Sequence, residues 1–299
     1  MEWTGIAPIA ESYWLKHQKM PLVFPDGVRI DSMTDEYRSM CSNDQLNAFE
    51  SDRILNAKHA FLFSYQATGR RGITEPMRGE QSMLPLVRQT ISLANLSLWI
   101  SKPNGIVFDA IVHFANSDGT LVSHYSKVRP FRPHMDYANS PLEFQDFQRA
   151  CSVFPQLLTL DSEGTTWRAI YSLLTALREF DWATRFMQVW IGLEALFGPN
   201  DAREINFRIS QRIAFFLESD KGLAKELFER VKESYKWRSN IVHGLRLSKL
   251  SQEDSRKLSL FVETLISRIL LKELADPNTI SVFDSAGRES FLDSLAFQK

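Results

Sequence analysis

The hydrophobic pattern of the chain changes its period near residues 161–166, and this change limits what the sequence can fold into. Upstream, apolar and polar residues alternate in several segments, which is typical of half-buried β-strands. Downstream, apolar residues recur every three or four positions, which is typical of amphipathic helices. With 299 residues the chain is long enough for two domains. The sequence therefore predicts an α+β domain over residues 1–160, followed by an all-α four-helix bundle over residues 161–299.

The first domain is expected to contain short strands that are separated by turn signals. Asp26-Gly27 and residues 116–119 each join two of these strands into a hairpin. The expected strands cover residues 21–24, 28–30, 59–65, 96–100, 106–115 and 120–128. Helices are expected over residues 34–55 and 141–155, and the proline at the end of the second one is expected to stop it. This half contains no P-loop, GxSxG or HExxH motif, which weakens the alternative that the activity lies here and that the second domain serves assembly. Sensing or substrate selection is the candidate role, from the position of the domain alone.

Two histidines and two cysteines in the first domain are the candidates for a metal site. His113 and His124 lie on opposing strands of the second hairpin and could together bind a metal ion. No carboxylate or cysteine joins them at the spacing of a metal site, so ordinary cross-strand packing is favoured. Cys41 and Cys151 are far apart and form no CxxC motif, which argues against a zinc site and against a secreted disulfide scaffold. No cofactor is therefore expected.

Four helices are predicted in the second domain, each with an apolar stripe at helical spacing. They cover about residues 167–197, 205–216, 221–243 and 251–275. A break near Phe180-Asp181 interrupts the first of them. Asp220 and Ser251 are the expected N-caps of the third and fourth helices, because their side chains can accept hydrogen bonds from the first turn. Asp276-Pro277 ends the last helix.

The chain is not a polycation, so it cannot bind nucleic acid through its overall charge. The formal net charge is −1, so such contact must come from a local basic surface. Between Arg203 and Lys249 eleven residues are basic and six are acidic, which favours a phosphate-attracting surface or an interface with an acidic protein. No signal peptide and no run of about 18 apolar residues occurs. A soluble cytoplasmic protein without membrane contact is expected.

Residues 235–244 bring an arginine, an amide and a histidine together at the predicted end of the third helix. Arg238 carries a charged fork that matches the geometry of a phosphate. His243 has a side chain that can transfer protons near neutral pH. These groups suit chemistry on a phosphodiester. A histidine followed by Gly244 is also an ordinary way to end a helix, so a purely structural role is the alternative.

The spacing within this segment predicts where the two side chains lie. Arg238 follows Val231 by seven residues and so continues the buried stripe of the helix. A lone arginine there is costly unless it is paired or faces an interface or a ligand. His243 lies five residues further on, which an unbroken helix rotates by about 140°. For both to serve one site, the last turn must unwind, and Gly244 permits this.

Three segments in this order resemble the HEPN superfamily, and most closely its Apea-like branch. They are residues 190–197 (WIGLEALF), 207–214 (FRISQRIA) and 235–244 (YKWRSNIVHG). The resemblance covers about residues 166–276. It implies a metal-independent endoribonuclease, often a toxin or an effector of defence against phage. It also implies a homodimer in which two Arg-His motifs share one cleft, and an antitoxin or defence partner.

The resemblance assigns the catalytic motif, Arg-x4-His, to Arg238 and His243. Asn240 is an accessory candidate, although it lies one place later in the spacer than the usual polar residue. Leu245 stands where the variant regulated by tyrosine modification has a tyrosine, so that variant is not indicated. The implied reaction is attack by the ribose 2′-OH, which leaves a 2′,3′-cyclic phosphate.

Further residues are expected to support this site. Glu194 is a candidate partner of Arg238 or Arg212 and would orient the arginine. Tyr235 and Trp237 could stack on bases, but packing in the core or in a dimer interface is favoured for both. The residues with an expected contact to RNA are Tyr235, Lys236, Trp237, Arg212 and Arg246. The alternative function is a non-catalytic HEPN module that binds nucleotides or RNA, or that forms a dimer.

Overall fold

The computed structural model describes most of the chain, which separates into two compact units over residues 1–158 and 159–299. The described residues are 2–10, 15, 19–41, 48–66, 83–117, 120–134, 136–137, 141–201, 203–243 and 250–297. The first unit contains an antiparallel sheet and the remainder of the chain is mostly helical, so the coarse α+β prediction is confirmed. No helix in the described part combines the length and the apolar character needed to cross a membrane.

The sheet of the first unit has six strands in the order β2-β3-β4-β1-β5-β6, and neighbouring strands are antiparallel. The strands are β1 (Glu2–Pro8), β2 (Leu22–Val23), β3 (Val28–Ser32), β4 (His59–Gln66), β5 (Ala110–Ser117) and β6 (Thr120–Lys127). Both predicted hairpins, β2-β3 and β5-β6, are confirmed. Local turn chemistry was sufficient to predict them, because each joins strands that are adjacent in the sequence.

Helices cover both faces of this sheet. They are α1 (Asp35–Cys41), α2 (Ala48–Asn56), α3 (Met83–Ser101) and α4 (Phe144–Thr159). On one face, Ile6 and Val112 pack with Cys41 and Ile54 in a buried cluster. On the other face, Gly5 lies close to α3, since a side chain at this position would meet Val87 at 3.2 Å.

Two predictions for the first unit are wrong. Residues 96–100 are not a strand but the last part of α3, in which every residue from Thr90 to Ser101 is buried. A helix that is buried on all sides has no polar face, so its sequence cannot be told from a buried strand by periodicity. Pro155 lies inside α4 and does not end it. Phe154 and Leu157 are buried beside it, and we infer that this packing outweighs the lost backbone hydrogen bond.

His113 and His124 are directly opposed on β5 and β6. His113 is fully buried, and its Nδ1 lies 3.1 Å from the hydroxyl of Tyr65. Burial lowers the pKa of His113 from 6.5 to about 4, and the neighbouring His124 acts in the same direction. No group of three metal-ligating side chains occurs among the described residues. His113 is therefore a neutral residue of the sheet interior at physiological pH.

The second unit contains seven helices in its described part, more than the four predicted. They are α5 (Thr165–Ala176), α6 (Trp182–Phe197), α7 (Ile205–Leu217), α8 (Lys221–Val242), α9 (Gln252–Leu274), α10 (Pro277–Phe283) and α11 (Arg288–Ser294). The predicted break separates α5 from α6. Asp220 and Ser251 cap α8 and α9 as predicted, each accepting a hydrogen bond from a backbone N–H three residues later.

Helix α6 lies at the centre of this unit and packs against α5, α7, α8 and α9. Trp190 and Leu193 are fully buried on it. Gly192 allows close contact with α5 and α9, because a side chain there would meet the carbonyl oxygen of Ala169 at 3.2 Å and Ile266 at 3.1 Å. The position of α6 matters for the site, since it presents Glu194 towards α8.

A buried carboxyl group joins the end of α9 to the start of α5. Glu273 is fully buried and accepts a hydrogen bond from the hydroxyl of Thr166 at 2.7 Å, while the backbone N–H of Thr166 donates to Asp284 at 2.9 Å. Burial raises the pKa of Glu273 from 4.5 to about 8, the Thr166 hydrogen bond opposes this, and the charge of Asp284 adds to it. The folded protein therefore holds a proton here that the unfolded chain releases above pH 4.5.

Replacing Glu273 with glutamine is expected to stabilise the protein increasingly as the pH rises from 4.5 to about 8. The wild type loses stability over this range because its unfolded state binds fewer protons than its folded state. We expect the difference in unfolding free energy to grow by on the order of 2–4 kcal/mol. Chemical denaturation at several pH values measures it, with the exposed Glu229→Gln on α8 as control. A difference that does not change with pH would show that Glu273 is ionised in the folded protein.

Candidate functional site

The end of α8 carries the predicted Arg-x4-His motif. The helix is continuous through Val242, and His243 follows as its C-cap, with its backbone N–H bonded to the carbonyl oxygen of Ser239 at 3.1 Å. The last turn is therefore not unwound as far as Val242, so the condition for both side chains of one copy to serve one site is not met by the described residues, and Gly244 lies outside them. Since Arg238 and His243 are five positions apart on a regular helix, they point about 140° apart around its axis.

Arg238 forms an ion pair between α8 and α6. Its Nη2 donates to Oε2 of Glu194 at 2.7 Å, and the two side chains are 22% and 23% exposed. The spacing from Val231 placed Arg238 on the buried stripe, where it needs a partner. The side chain is instead half-buried, and Glu194 is confirmed as its partner. Because the pair is only partly shielded from water, it contributes to orientation more than to stability.

Tyr235 packs beneath this pair. The centroid of its ring lies 5.6 Å from the guanidinium carbon of Arg238, and it packs edge to face with Trp190, with the two ring centroids 5.1 Å apart. Burial raises the pKa of the Tyr235 hydroxyl, and the charge of Glu194 and a hydrogen bond with it act in the same direction, while Arg238 opposes them. Tyr235 thus packs against the ion pair and against Trp190, the use favoured for it from the sequence.

Several buried polar atoms of residues on α6 and α8 have no hydrogen-bond partner in the described part of the chain. They are Nε1 of Trp190, the hydroxyl of Ser234 and Nε of Arg238, all of them buried. A buried donor without an acceptor is costly. Glu194 therefore does not satisfy the Arg238 guanidinium completely, and an anion that accepts from it would stabilise the arginine.

The remaining residues of the motif differ in exposure. His243 and Lys236 are exposed, whereas Asn240 and Trp237 are half-buried. No hydrogen bond joins the His243 imidazole to Arg238 or to any other side chain that the structure describes. The structure thus brings together Glu194, Tyr235 and Arg238, but not His243. Arg246, an expected RNA contact, lies outside the described residues.

Arg212 is not available to RNA, which corrects the prediction for this residue. It is 2% exposed, and its guanidinium donates to the carbonyl oxygen of Phe197 at 3.0 Å. The same group binds Glu289 at 2.6 Å and Asp293 at 2.7 Å, and both of these carboxylates are on α11. Arg208 also pairs with Glu289 at 2.6 Å. Acidic residues beyond position 276 therefore neutralise part of the basic excess that the sequence between Arg203 and Lys249 shows.

Helix α11 also supports the segment that holds Glu194. Nη1 of Arg288 donates to the carbonyl oxygens of Ala195 and, at 3.4 Å, of Leu196, which belong to the last turn of α6. A cation at this end of a helix satisfies carbonyl groups that have no partner within the helix. The predicted helices ended at Asp276-Pro277, so this support was missed. The apolar residues Phe291, Leu292 and Leu295, at helical spacing, were the available signal for a further helix.

The site offers a half-buried guanidinium held by a carboxylate, and an exposed imidazole one turn further along the chain. Such groups can bind a phosphate and transfer a proton, and neither step needs a metal ion. Comparison of the chain with models of known families, with characterised proteins and with solved structures gives no match. The resemblance to HEPN proteins therefore rests on the three quoted segments alone.

Proposed function

We propose that the second unit is a HEPN-like helical bundle that cuts RNA without a metal ion. The observation that supports this most is the position of Arg238, which Glu194 orients at the end of α8 while His243 is exposed at its C-cap. An arginine that is already held in place loses little conformational entropy when it binds a phosphate. The basic residues of the same segment that α11 does not neutralise favour an anionic substrate.

The proposed reaction uses the nucleophile that RNA itself carries. His243 removes the proton of the ribose 2′-OH, the 2′-oxygen attacks the adjacent phosphorus, and the 5′-oxygen leaves after it takes a proton from water. Arg238 donates hydrogen bonds to the non-bridging oxygens, whose negative charge increases in the transition state. The products are a 2′,3′-cyclic phosphate and a 5′-OH. DNA lacks the 2′-OH and is not a substrate.

The arginine that acts together with His243 is proposed to come from a second copy of the chain. Arg238 and His243 of one copy lie about 140° apart around α8, so they do not face the same phosphate on one side of the helix. A twofold dimer would instead set Arg238 of one copy beside His243 of the other. This arrangement agrees with the shared cleft that the HEPN resemblance implies.

The wild-type protein is expected to cut single-stranded RNA in excess EDTA and to leave 2′,3′-cyclic phosphate ends. Arg238→Lys is expected to lower the rate about 10²–10³-fold, because lysine cannot make a two-pronged contact with a phosphate. Gel analysis gives the rate and mass spectrometry identifies the ends, with DNA of the same sequence as a parallel substrate. Arg256→Lys on α9, where the arginine is 43% exposed, is the matched control and should keep the wild-type rate.

Two results would contradict the proposal. Cleavage that requires an added metal ion would exclude the reaction through Arg238 and His243 alone. Cleavage of DNA at a similar rate would exclude the 2′-OH as the nucleophile.

A second function is favoured by the ion pair itself. Glu194 already binds Arg238, and a carboxylate at 2.7 Å competes with any phosphate. A non-catalytic module that binds RNA or nucleotides, or that forms a dimer, would tolerate this competition. In that case the folded protein binds RNA in a fluorescence anisotropy assay but does not cut it in EDTA or in added Mg²⁺.

The proposed cellular role is that of a toxin or an effector of defence against phage, held in check by an antitoxin or defence partner in the cytoplasm. Expression of the active protein would then arrest growth. His243→Ala should relieve the arrest at an equal protein level. If the arrest persists in this variant, RNA cleavage through His243 is not its cause.

A further inference from the structure

A cavity of about 410 Å³ lies between α7 and α8, next to residues that follow α11. Three aromatic rings line it, those of Phe207, Phe215 and Phe228. The rings of Phe207 and Phe228 meet edge to face with their centroids 5.4 Å apart. Ala214 and Ala224 also line the cavity, and each is 2% exposed. Small side chains on both helices therefore leave a concave apolar space between the larger rings.

Two lysines line the same cavity from the first turns of α8. Lys221 and Lys225 are four residues apart, so they lie on one face of the helix. Both are exposed, and neither forms an ion pair with a carboxylate in the part of the chain that the structure describes. The adjacent Asp220 accepts the backbone N–H of Leu223 as the helix cap. Two positive charges thus border an apolar cavity without a carboxylate of the same unit bound to them.

We propose that this cavity binds a small amphiphilic anion, with its apolar body between the phenylalanine rings and its carboxylate at Lys221 and Lys225. Cavities of about 300–1,000 Å³ with apolar walls and a few polar groups are typical of small-molecule sites. The lysines select an anion over a neutral apolar compound, and Gln211 adds an amide that can bind the same carboxylate. A medium-length aliphatic carboxylate is the occupant with this chemistry.

The observations favour a small molecule over a protein segment. A stable protein interface buries about 800 Å² on each partner. The feature seen here is instead a single concave space with its charges on one helix. The site shares no residue with the group formed by Glu194, Tyr235 and Arg238, and its test measures binding, so it does not depend on RNA cleavage.

Decanoate, below its critical micelle concentration, is the probe. Isothermal titration calorimetry should show saturable binding of one molecule per chain, and 1-decanol should bind about five- to tenfold more weakly because it lacks the charge. The double variant Lys221→Gln, Lys225→Gln should weaken decanoate binding by a similar factor and leave decanol binding unchanged. Lys257→Gln removes a 67% exposed lysine from α9 and should bind decanoate as the wild type does.

A second pair of variants tests the apolar part of the site. Ala224→Leu fills the cavity and should abolish binding of both compounds. Ala224 is buried, so a larger side chain there can also disturb folding. Phe207→Ala, at a half-exposed position, is therefore the companion variant. It should fold and should weaken the binding of both compounds to the same extent. Equal binding of decanoate and decanol, unaffected by the lysine variant, would overturn the role of the charge. No saturable binding of either compound would overturn the site and leave the cavity to a macromolecular partner.

Discussion

Replacing His243 with alanine is expected to lower the rate of RNA cleavage about 10²–10⁴-fold and to change the free energy of unfolding by less than about 0.5 kcal/mol. The activity falls because the variant has no group to accept the 2′-OH proton. The stability is kept because the His243 side chain is exposed and only its backbone N–H bonds to Ser239. Cleavage in EDTA and chemical denaturation of the same preparations measure the two quantities.

His243→Asn separates proton transfer from helix capping. Asparagine is accepted at helix ends, so this variant should keep the end of α8 and still lose activity. Added imidazole should restore part of the rate of His243→Ala, since a free base can enter the space that the side chain leaves. Arg256→Ala, another exposed change, should keep the wild-type rate. If His243→Ala cuts RNA as fast as the wild type, the proposed role of the imidazole is excluded.

Mixing two inactive variants tests whether the site is shared between copies. Arg238→Ala supplies an intact His243, and His243→Ala supplies an intact Arg238. If each site combines the arginine of one copy with the histidine of the other, random exchange of subunits restores about a quarter of the wild-type rate, because half of the dimers are mixed and each has one complete site. If one copy supplies both groups, the mixture stays inactive.

Breaking the Arg185–Glu263 pair is expected to cost about 3–5 kcal/mol of unfolding free energy. Arg185 on α6 binds both oxygens of Glu263 on α9, with distances of 2.6 and 2.9 Å. The side chains are 8% and 1% exposed, so little water is available to replace a lost partner. Glu263→Ala leaves a buried cation and Arg185→Ala leaves a buried carboxylate. Urea denaturation of each variant measures the loss.

The double variant Arg185→Met, Glu263→Leu separates two contributions to the loss of unfolding free energy. One is the lost attraction within the pair, and the other is the burial of a charge whose partner has been removed. Replacing both charges by apolar groups removes the desolvation cost as well as the attraction, so we expect a loss well below that of either single variant. The exposed pair Arg256 and Glu253 on α9, 3.0 Å apart, is the control, and breaking it should leave the stability nearly unchanged because water replaces the lost partner. If the double variant loses as much unfolding free energy as the two single variants together, Arg185 and Glu263 are not energetically coupled.

The parts of the site that were predictable depend on neighbours in the sequence. Asp220 caps α8 through a contact three residues away, so residue type and position were sufficient. The inward direction of Arg238 followed from its seven-residue spacing to Val231, because helical periodicity places both on one side of α8, but its half-burial did not. The continuous last turn was not predictable, since Gly244 permits unwinding without requiring it.

Contacts between distant segments were not accessible in this way. Arg185 and Glu263 are 78 residues apart, and Arg212 meets Glu289 across 77 residues, so no local pattern links them. Helix α3 was mistaken in part for a strand because neighbouring elements bury it on all sides. In each case the packing of other elements determines whether a charged or apolar residue is buried.

The order of residues was enough to establish the helical second half, the hairpins, two helix caps and an arginine that needs a partner, because periodicity, turn chemistry and capping act over a few positions. Packing between helices decided the rest. It paired Arg238 with Glu194, enclosed Arg212 with carboxylates from α11, and formed the cavity beside Lys221 and Lys225. These features depend on which helix faces come together. The same contact can form between residues at many different distances along the chain, so the sequence pattern alone does not predict it.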